Sequence, residues 1–207
     1  MASTINALTG SGGVATTADA SGILEFQNNG TTIATVSSTG IAMASGKTLT
    51  GDAVSNGKIL QVISTTKTDV FSTTARSLTA VTGFSATITP SATSSKILIS
   101  VNAQLQGNAP GFSSLRRGTS TDLIIGDANG VQPRVSANHQ QIGGHESFSP
   151  SIAITFLDSP STTSATVYGL YIYAETGTSY MNRTLYDANN ENYGRFASTI
   201  TVMEVAG

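Results

Sequence analysis

The sequence contains no cysteine and no tryptophan. Without thiols there is no disulfide framework, no thiolate metal site and no cysteine nucleophile, so stability has to come from packing and assembly. Charge is scarce too: 10 Lys and Arg face 12 Asp and Glu, 11% of 207 residues, for a net charge of −2. A protein that neutralises a phosphate backbone needs a clustered cationic face, which this balance does not supply, so nucleic acid is not an expected partner. Histidine is limited to His139 and His145. A hydrolase triad would have to use one of them as its base, and neither lies in a nucleophile motif. Nowhere do 18 apolar residues follow one another, so membrane insertion is not expected. The opening Met1-Ala2-Ser3-Thr4-Ile5 has neither the basic region nor the apolar run of a secretory signal, and the expectation is a chain made and assembled in a cytoplasm.

Ser and Thr are plentiful, 27 and 31 residues, and that composition favours strands and turns over long helices. Hydrophobic residues make up 39%, enough apolar surface to offset the entropy of ordering the chain. The length suits one ordinary domain plus an extended segment.

Up to about residue 55, short apolar groups alternate with glycines: Ile23-Leu24-Glu25-Phe26, Asn29-Gly30, Ile33-Ala34-Thr35-Val36, Gly40-Ile41-Ala42-Met43 and Gly46-Lys47-Thr48-Leu49. Strands this short cannot enclose a core within one chain, and another copy of the chain is the simplest cover. Three chains around one axis would bury Ile23, Phe26, Ile33, Val36, Ile41 and Met43 and leave Ser and Thr in water. Residues 1–55 are therefore expected to form a thin trimeric β-stalk, with a boundary near Gly51 to Gly57.

Residues 56–207 read differently. Ile97, Ile99, Val101, Ala103 and Leu105 fall on one face at period two, the mark of a half-buried strand. Similar alternation runs through Phe84/Ala86/Ile88, Ile152/Ile154/Phe156, Val167 to Tyr173 and Ile200/Val202, with Ile59 to Ile63 and Leu123 to Ile125 as shorter candidates. Turn residues separate these runs, Asn129-Gly130 among them as a hairpin signal. Seven or more strands with no helical period predict an antiparallel β-sandwich head of jelly-roll type.

Chemistry-bearing constellations are thin. His139 and His145 with Glu146 lack a specific metal-ligand spacing. Asp187-Ala188-Asn189-Asn190-Glu191-Asn192 alternates oxygen ligands, yet Asn192 stands where an EF-hand loop has glycine and Ser198 where it has its bidentate glutamate, so a solvated tip is expected. No catalytic residue, metal or cofactor is assigned.

Two stretches carry a resemblance. Leu24-Glu25-Phe26-Gln27-Asn28-Asn29-Gly30-Thr31-Thr32-Ile33, followed by Val36-Ser37-Ser38-Thr39-Gly40-Ile41-Ala42-Met43, resembles the stalk motif of tailed-bacteriophage fibre proteins. Gly57-Lys58-Ile59-Leu60-Gln61-Val62, Ile88-Thr89-Pro90-Ser91-Ala92-Thr93-Ser94-Ser95-Lys96-Ile97-Leu98 and Gly194-Arg195-Phe196-Ala197-Ser198-Thr199-Ile200-Thr201-Val202-Met203 are similar to a C-terminal domain of structural proteins from marine, especially cyanobacterial, phages. The resemblance implies a virion protein: a homotrimeric tail fibre joined by its N-terminal region to tail adaptor, nozzle or capsid proteins, its head touching a host cell-surface glycan. The alternatives are a capsid decoration or head fibre without receptor binding, and a glycan-binding or glycan-degrading module.

The segment from Gly107 to Ser149 matches no stretch of that family, and loops on a rigid sandwich are where binding residues usually sit. Arg116, Arg117, Arg134, His139 and His145 are accordingly candidate receptor or partner contacts, with Arg116-Arg117 read as part of a loop. Tyr180, Asn182, Tyr186, Asp187 and Asn189 form a second candidate set, and Tyr168, Tyr171, Tyr173 and Tyr193 extend it as aromatic candidates, although at least half of the six tyrosines are expected to pack the sandwich.

Overall fold

The computed structural model describes residues 3–7, 14–17, 21–47, 57–139 and 149–207, the first two segments as backbone only. Among these residues every regular element is a strand. The chain divides into two compact units, Met1–Ser55 and Asn56–Gly207. Of the expected boundary segment, only Gly57 lies within the described residues.

In the first unit, β1 (Ser3–Ala7), β2 (Val14–Thr17), β3 (Leu24–Asn28), β4 (Thr31–Ser37) and β5 (Gly40–Met43) form one sheet in the order β2-β1-β3-β4-β5. All neighbours are antiparallel except β1 and β3, which run parallel. Asn29 and Gly30 connect β3 to β4 with φ of 52° and 74°, the left-handed pair that a two-residue turn needs and that Asn-Gly tolerates best.

Residues opposed in an antiparallel pair share a face. The rows Leu24–Val36–Ile41 and Phe26–Ala34–Met43 therefore put six apolar side chains on one side of this sheet. Glu25, Gln27, Thr32 and Thr35 occupy the other, where Gln27 Nε2 and Thr32 Oγ1 donate to Glu25 Oε2 at 2.9 and 3.2 Å. A bulge after Phe26 takes Ile33 out of the paired register, and Ile23 precedes β3, so Leu24 rather than Ile23 stands in the apolar rows. Only Ala34 among the described residues of this unit is a buried hydrophobic; Phe26 is 37% and Ile41 71% exposed.

The second unit holds β6 (Ile59–Lys67), β7 (Phe71–Thr73), β8 (Thr79–Ile88), β9 (Lys96–Gly107), β10 (Gly111–Arg117), β11 (Thr121–Leu123), β12 (Ala137–His139), β13 (Ser151–Asp158), β14 (Thr166–Ala174), β15 (Ser179–Met181) and β16 (Ser198–Val205). One sheet runs β11-β10-β14-β8 with β12 also paired to β10. The other runs β6-β16-β9-β15-β7 with β13 also paired to β9. Every pairing is antiparallel. The two sheets enclose one sandwich-like core, with Phe84, Ile88, Leu115, Tyr168, Leu170 and Ile172 from the first facing Ile97, Ile99, Leu105, Met181 and Ile200 from the second. Alternation creates this core directly: in β9 the odd-numbered Ile97 to Leu105 are buried, and in β16 the even-numbered Ile200 and Val202.

Polar side chains fasten the sheets at their margins. Tyr168, fully buried, donates its hydroxyl to Asp158 Oδ2 at 2.7 Å, and Arg117 Nη1 donates to both oxygens of Asp158 at 3.0 and 2.8 Å. Burial raises the pKa of the Tyr168 hydroxyl, and the bond to Asp158 raises it further. Gln61 Nε2 reaches Thr89 O, and Thr65 Oγ1 reaches Ser85 O, tying edge strand β6 to β8 of the opposite sheet and to the segment that follows it.

Two sequence expectations change. Leu123 ends β11 because Ile124 takes φ 47°, so Leu123 to Ile125 does not continue as a strand. Asn129-Gly130 does not join two paired strands; it forms a turn, closed by Gln132 N to Asn129 O at 3.1 Å, inside the long connection from β11 to β12.

Candidate functional site

The connection from β15 to β16 is the part of the second unit where exposed aromatic and polar side chains converge. Its base is narrow: Arg183 and Arg195 form an isolated antiparallel bridge, and Phe196 N donates to Asn182 O at 3.1 Å. Asn182 anchors it from below. This residue is fully buried with φ 64°, a left-handed conformation that asparagine accepts more readily than other side chains. Its Nδ2 donates to Lys67 O at 2.8 Å and Asp69 O at 3.1 Å, while its Oδ1 accepts from Ser198 Oγ at 2.6 Å.

Above this anchor, Asp187 collects two guanidinium groups, Arg195 Nη2 at 2.7 Å and Arg183 Nη1 at 3.4 Å. Arg183 also donates to the carbonyls of Thr184 and Leu185, and its guanidinium lies 4.3 Å from the Tyr180 ring centroid. Tyr186 and Tyr193 stack with centroids 5.7 Å apart and planes 28° apart. A cavity of about 220 Å³, lined by Asp187, Ala188, Asn189, Asn190, Tyr193 and Arg195, opens beside them. Tyr186 is 54% exposed. An exposed aromatic face next to amide, carboxylate and guanidinium groups is able to stack on the C–H face of a ring and to hydrogen-bond a polyhydroxylated ligand.

The predicted contact residues divide sharply. Tyr186, Asp187 and Asn189 come together at this loop, with Tyr180 at its base. Asn182 belongs to the same segment but is fully buried, so it shapes the loop from within and is withdrawn from any surface contact. Tyr193, one of the candidate tyrosines, joins them, and Arg195 is the one member that the sequence does not single out; its signal is an arginine closing the same Asn-rich tip.

The first candidate set is not brought together. Arg116 and Arg117 lie on β10, not in a loop. Arg116 pairs with Asp122 on β11, Nε to Oδ1 at 2.6 Å, and its guanidinium lies 4.7 Å from the Tyr171 ring centroid. The Arg116 hydrogen bond holds the Asp122 carboxyl below its ordinary pKa despite partial burial. Arg117 serves the sheet-fastening Asp158 described above. Arg134, in the β11–β12 connection, is exposed and donates Nε to Gly126 O at 2.7 Å. His139 is buried on β12, Nε2 lying 3.0 Å from Ser179 Oγ, with Nδ1 lacking a hydrogen-bond partner among the described residues. Burial depresses its pKa to about 4. His145 lies outside the described residues.

No group of three or more metal-ligating side chains occurs among the described residues, and no helix among them is long and apolar enough to cross a membrane. No protein-family model and no curated protein matches the chain.

Proposed function

We propose that the chain is a non-enzymatic structural protein of a tailed-phage virion, a homotrimeric tail fibre of jelly-roll-like head and β-stalk. In this reading its N-terminal region attaches to other virion proteins and its head meets a host cell-surface glycan. The one-sided apolar face of the first unit carries the reading. Leu24, Phe26, Val36, Ile41 and Met43 line one side of a single layer, with Phe26 and Ile41 exposed and the other three half-buried, and fully burying a side chain of this size is worth about 1.5–3 kcal/mol. Three such sheets turned toward one axis give each the second layer that an isolated sheet lacks. Stacked Tyr186 and Tyr193 beside Asp187, Asn189 and Arg195 support a glycan as ligand of the head, and three copies would compensate for a weak single contact.

Light scattering after size exclusion tests the assembly: a mass three times the 21.2 kDa of one chain is expected, and a stable 21.2 kDa species overturns it. Glycan-array binding of the intact protein, compared with its Tyr186→Ala variant, tests the head. Loss of signal in the variant is expected, and no binding by either protein overturns the receptor role.

A further inference from the structure

The sheet that holds β8 and β14 loses its register once, and the break opens a hollow. Gly169 on β14 pairs with Ser85 on β8 and Tyr171 pairs with Ala80, so Leu170 alone faces four residues of β8, Val81 to Phe84. A strand that carries more residues than its partner has to bow, and bulges of this kind re-aim side chains beside binding sites. β8 ends its sheet, which leaves it free to bow, and Gly83 takes the bend at φ 74°, where glycine is unstrained. The result is a cavity of about 200 Å³ floored by the buried Val81, Phe84 and Leu170. Its mouth stays open because Gly169 carries no side chain. A Cβ there would stand 3.3 Å from Ser85 Cβ and 3.6 Å from Phe84 O, across the space between lining residues.

The walls are polar without being charged. Thr82 and Ser85 are exposed, and their hydroxyls have no protein partner among the described residues. Tyr171 adds an aromatic ring whose hydroxyl donates to Gly118 O at 3.4 Å, and Val167, 40% exposed, adds an apolar edge. Two cations stand near, and each already has its carboxylate. Arg116, whose guanidinium braces the Tyr171 ring 4.7 Å from its centroid, pairs with Asp122 at 2.6 Å. Lys67, whose Nζ comes within 3.7 Å of the place a Gly83 Cβ would take, pairs with Asp69 at 2.6 Å. A charged ligand therefore finds no spare counter-charge here to offset the loss of its water. Free hydroxyls beside an aromatic ring match instead a neutral molecule with a C–H face and several hydroxyls. The volume falls below the roughly 300–1,000 Å³ of sites for drug-sized ligands, which leaves room for one ring.

We propose that this cavity binds a single neutral sugar ring, stacked on Tyr171 and hydrogen-bonded by Thr82 and Ser85. It is separate from the β15–β16 loop, whose strands belong to the other sheet, and it needs neither that loop nor the assembly of copies. One ring in an open hollow binds in the millimolar range, too weakly to be kept on a washed glycan array, so the test uses free sugars.

Saturation-transfer NMR is run on the full chain carrying Tyr186→Ala, which removes the loop contact, with free glucose, galactose, mannose and N-acetylglucosamine at millimolar concentration. Val167→Trp, added to that chain, fills the cavity from β14, and Ser85→Tyr fills it from β8. Each is checked for a cooperative thermal transition, and one folded filled variant is enough. The expected result is transfer to the C–H protons of at least one sugar, reduced at least about tenfold when the cavity is filled. No transfer to any of the four sugars, or equal transfer from the open and filled chains, overturns the proposal. Transfer that appears only when Tyr186 is kept also overturns it and leaves the loop as the sugar contact. Transfer that persists in Tyr186→Ala and vanishes on filling upholds it, whatever the array shows for the loop.

Discussion

At the scale of single residues, three buried polar groups determine how the second unit responds to substitution and to acid. Asn182 satisfies the carbonyls of Lys67 and Asp69 and accepts from Ser198, all in a left-handed conformation. Asn182→Ala should cost roughly 2–4 kcal/mol in denaturant unfolding, since it orphans buried partners and gives up asparagine's tolerance of a positive φ. Asn182→Gly should recover only the backbone part, so the difference between the two midpoints isolates the amide. His139 works through protonation. Its folded pKa, about 4, lies below the ordinary 6.5, so the unfolded state takes up the proton first as pH falls. Its contribution to stability is complete above pH 6.5, declines between 6.5 and 4, and amounts to at most roughly 3 kcal/mol. His139→Gln should flatten the stability profile in that window, read from urea midpoints at successive pH values. Glu204 acts lower on the scale. Burial alone would raise its carboxyl pKa, but hydrogen bonds from Ser91, Gln61 and Ser95 outweigh it and hold the group at about 2. Its stabilisation is present above pH 4.5 and lost as pH falls toward 2, so Glu204→Gln should narrow the difference in stability between pH 5 and pH 2.

At the scale of elements, cross-sheet contacts decide which strands tolerate change. Gly111 on β10 sits directly opposite His139 on β12, and a Cβ there would fall 2.3 Å from His139 Nε2 and 2.7 Å from Ser179 Oγ. Gly111→Ala should therefore lower stability by about 1–3 kcal/mol by forcing β12 and β15 apart, with chemical-shift changes centred on His139 and Ser179. These elements also mark how far the sequence can be read. Strands β8, β9, β13, β14 and β16 are visible in it because each buries one face for eight residues or more, and period-two alternation over that length has no helical counterpart. Strands β7, β12 and β15 have three residues each, too few for a period, and exist because longer neighbours offer them an edge. Arg116-Arg117 has the look of a loop in the sequence for a related reason: charge suggests solvent, while Asp122 and Asp158, which turn that charge inward, are contributed by other strands. In the candidate site, the tyrosines and the Asn-rich tip were legible as surface chemistry. The burial of Asn182 was not, because its partners Lys67 and Asp69 lie more than a hundred residues away.

At the scale of the whole molecule, the scarcity of charge determines what kind of assembly the chain can build. The apolar face of the first unit is lined by Leu24, Phe26, Val36, Ile41 and Met43, and the ionic group nearest them in the sheet, Glu25, is on the opposite face. Association through such a face is driven by removing apolar surface from water, and that term strengthens in salts excluded from protein surfaces. Ion pairing across an interface would weaken as salt screens it. The two causes predict opposite responses. In sodium sulfate raised from 0.1 to about 1 M, the mass measured by light scattering should stay at its multiple value and the concentration for half-dissociation should fall. A Phe26→Lys/Ile41→Lys double variant should shift the mass to 21.2 kDa in every salt, because each protomer would bring two ammonium groups to a face that carries no carboxylate among the described residues. The second unit keeps its own core of Phe84, Ile99, Leu115, Tyr168 and Ile200, so its calorimetric transition should survive in that variant. Dissociation at high salt, or an unchanged mass in the double variant, would mean that the copies meet through some other surface.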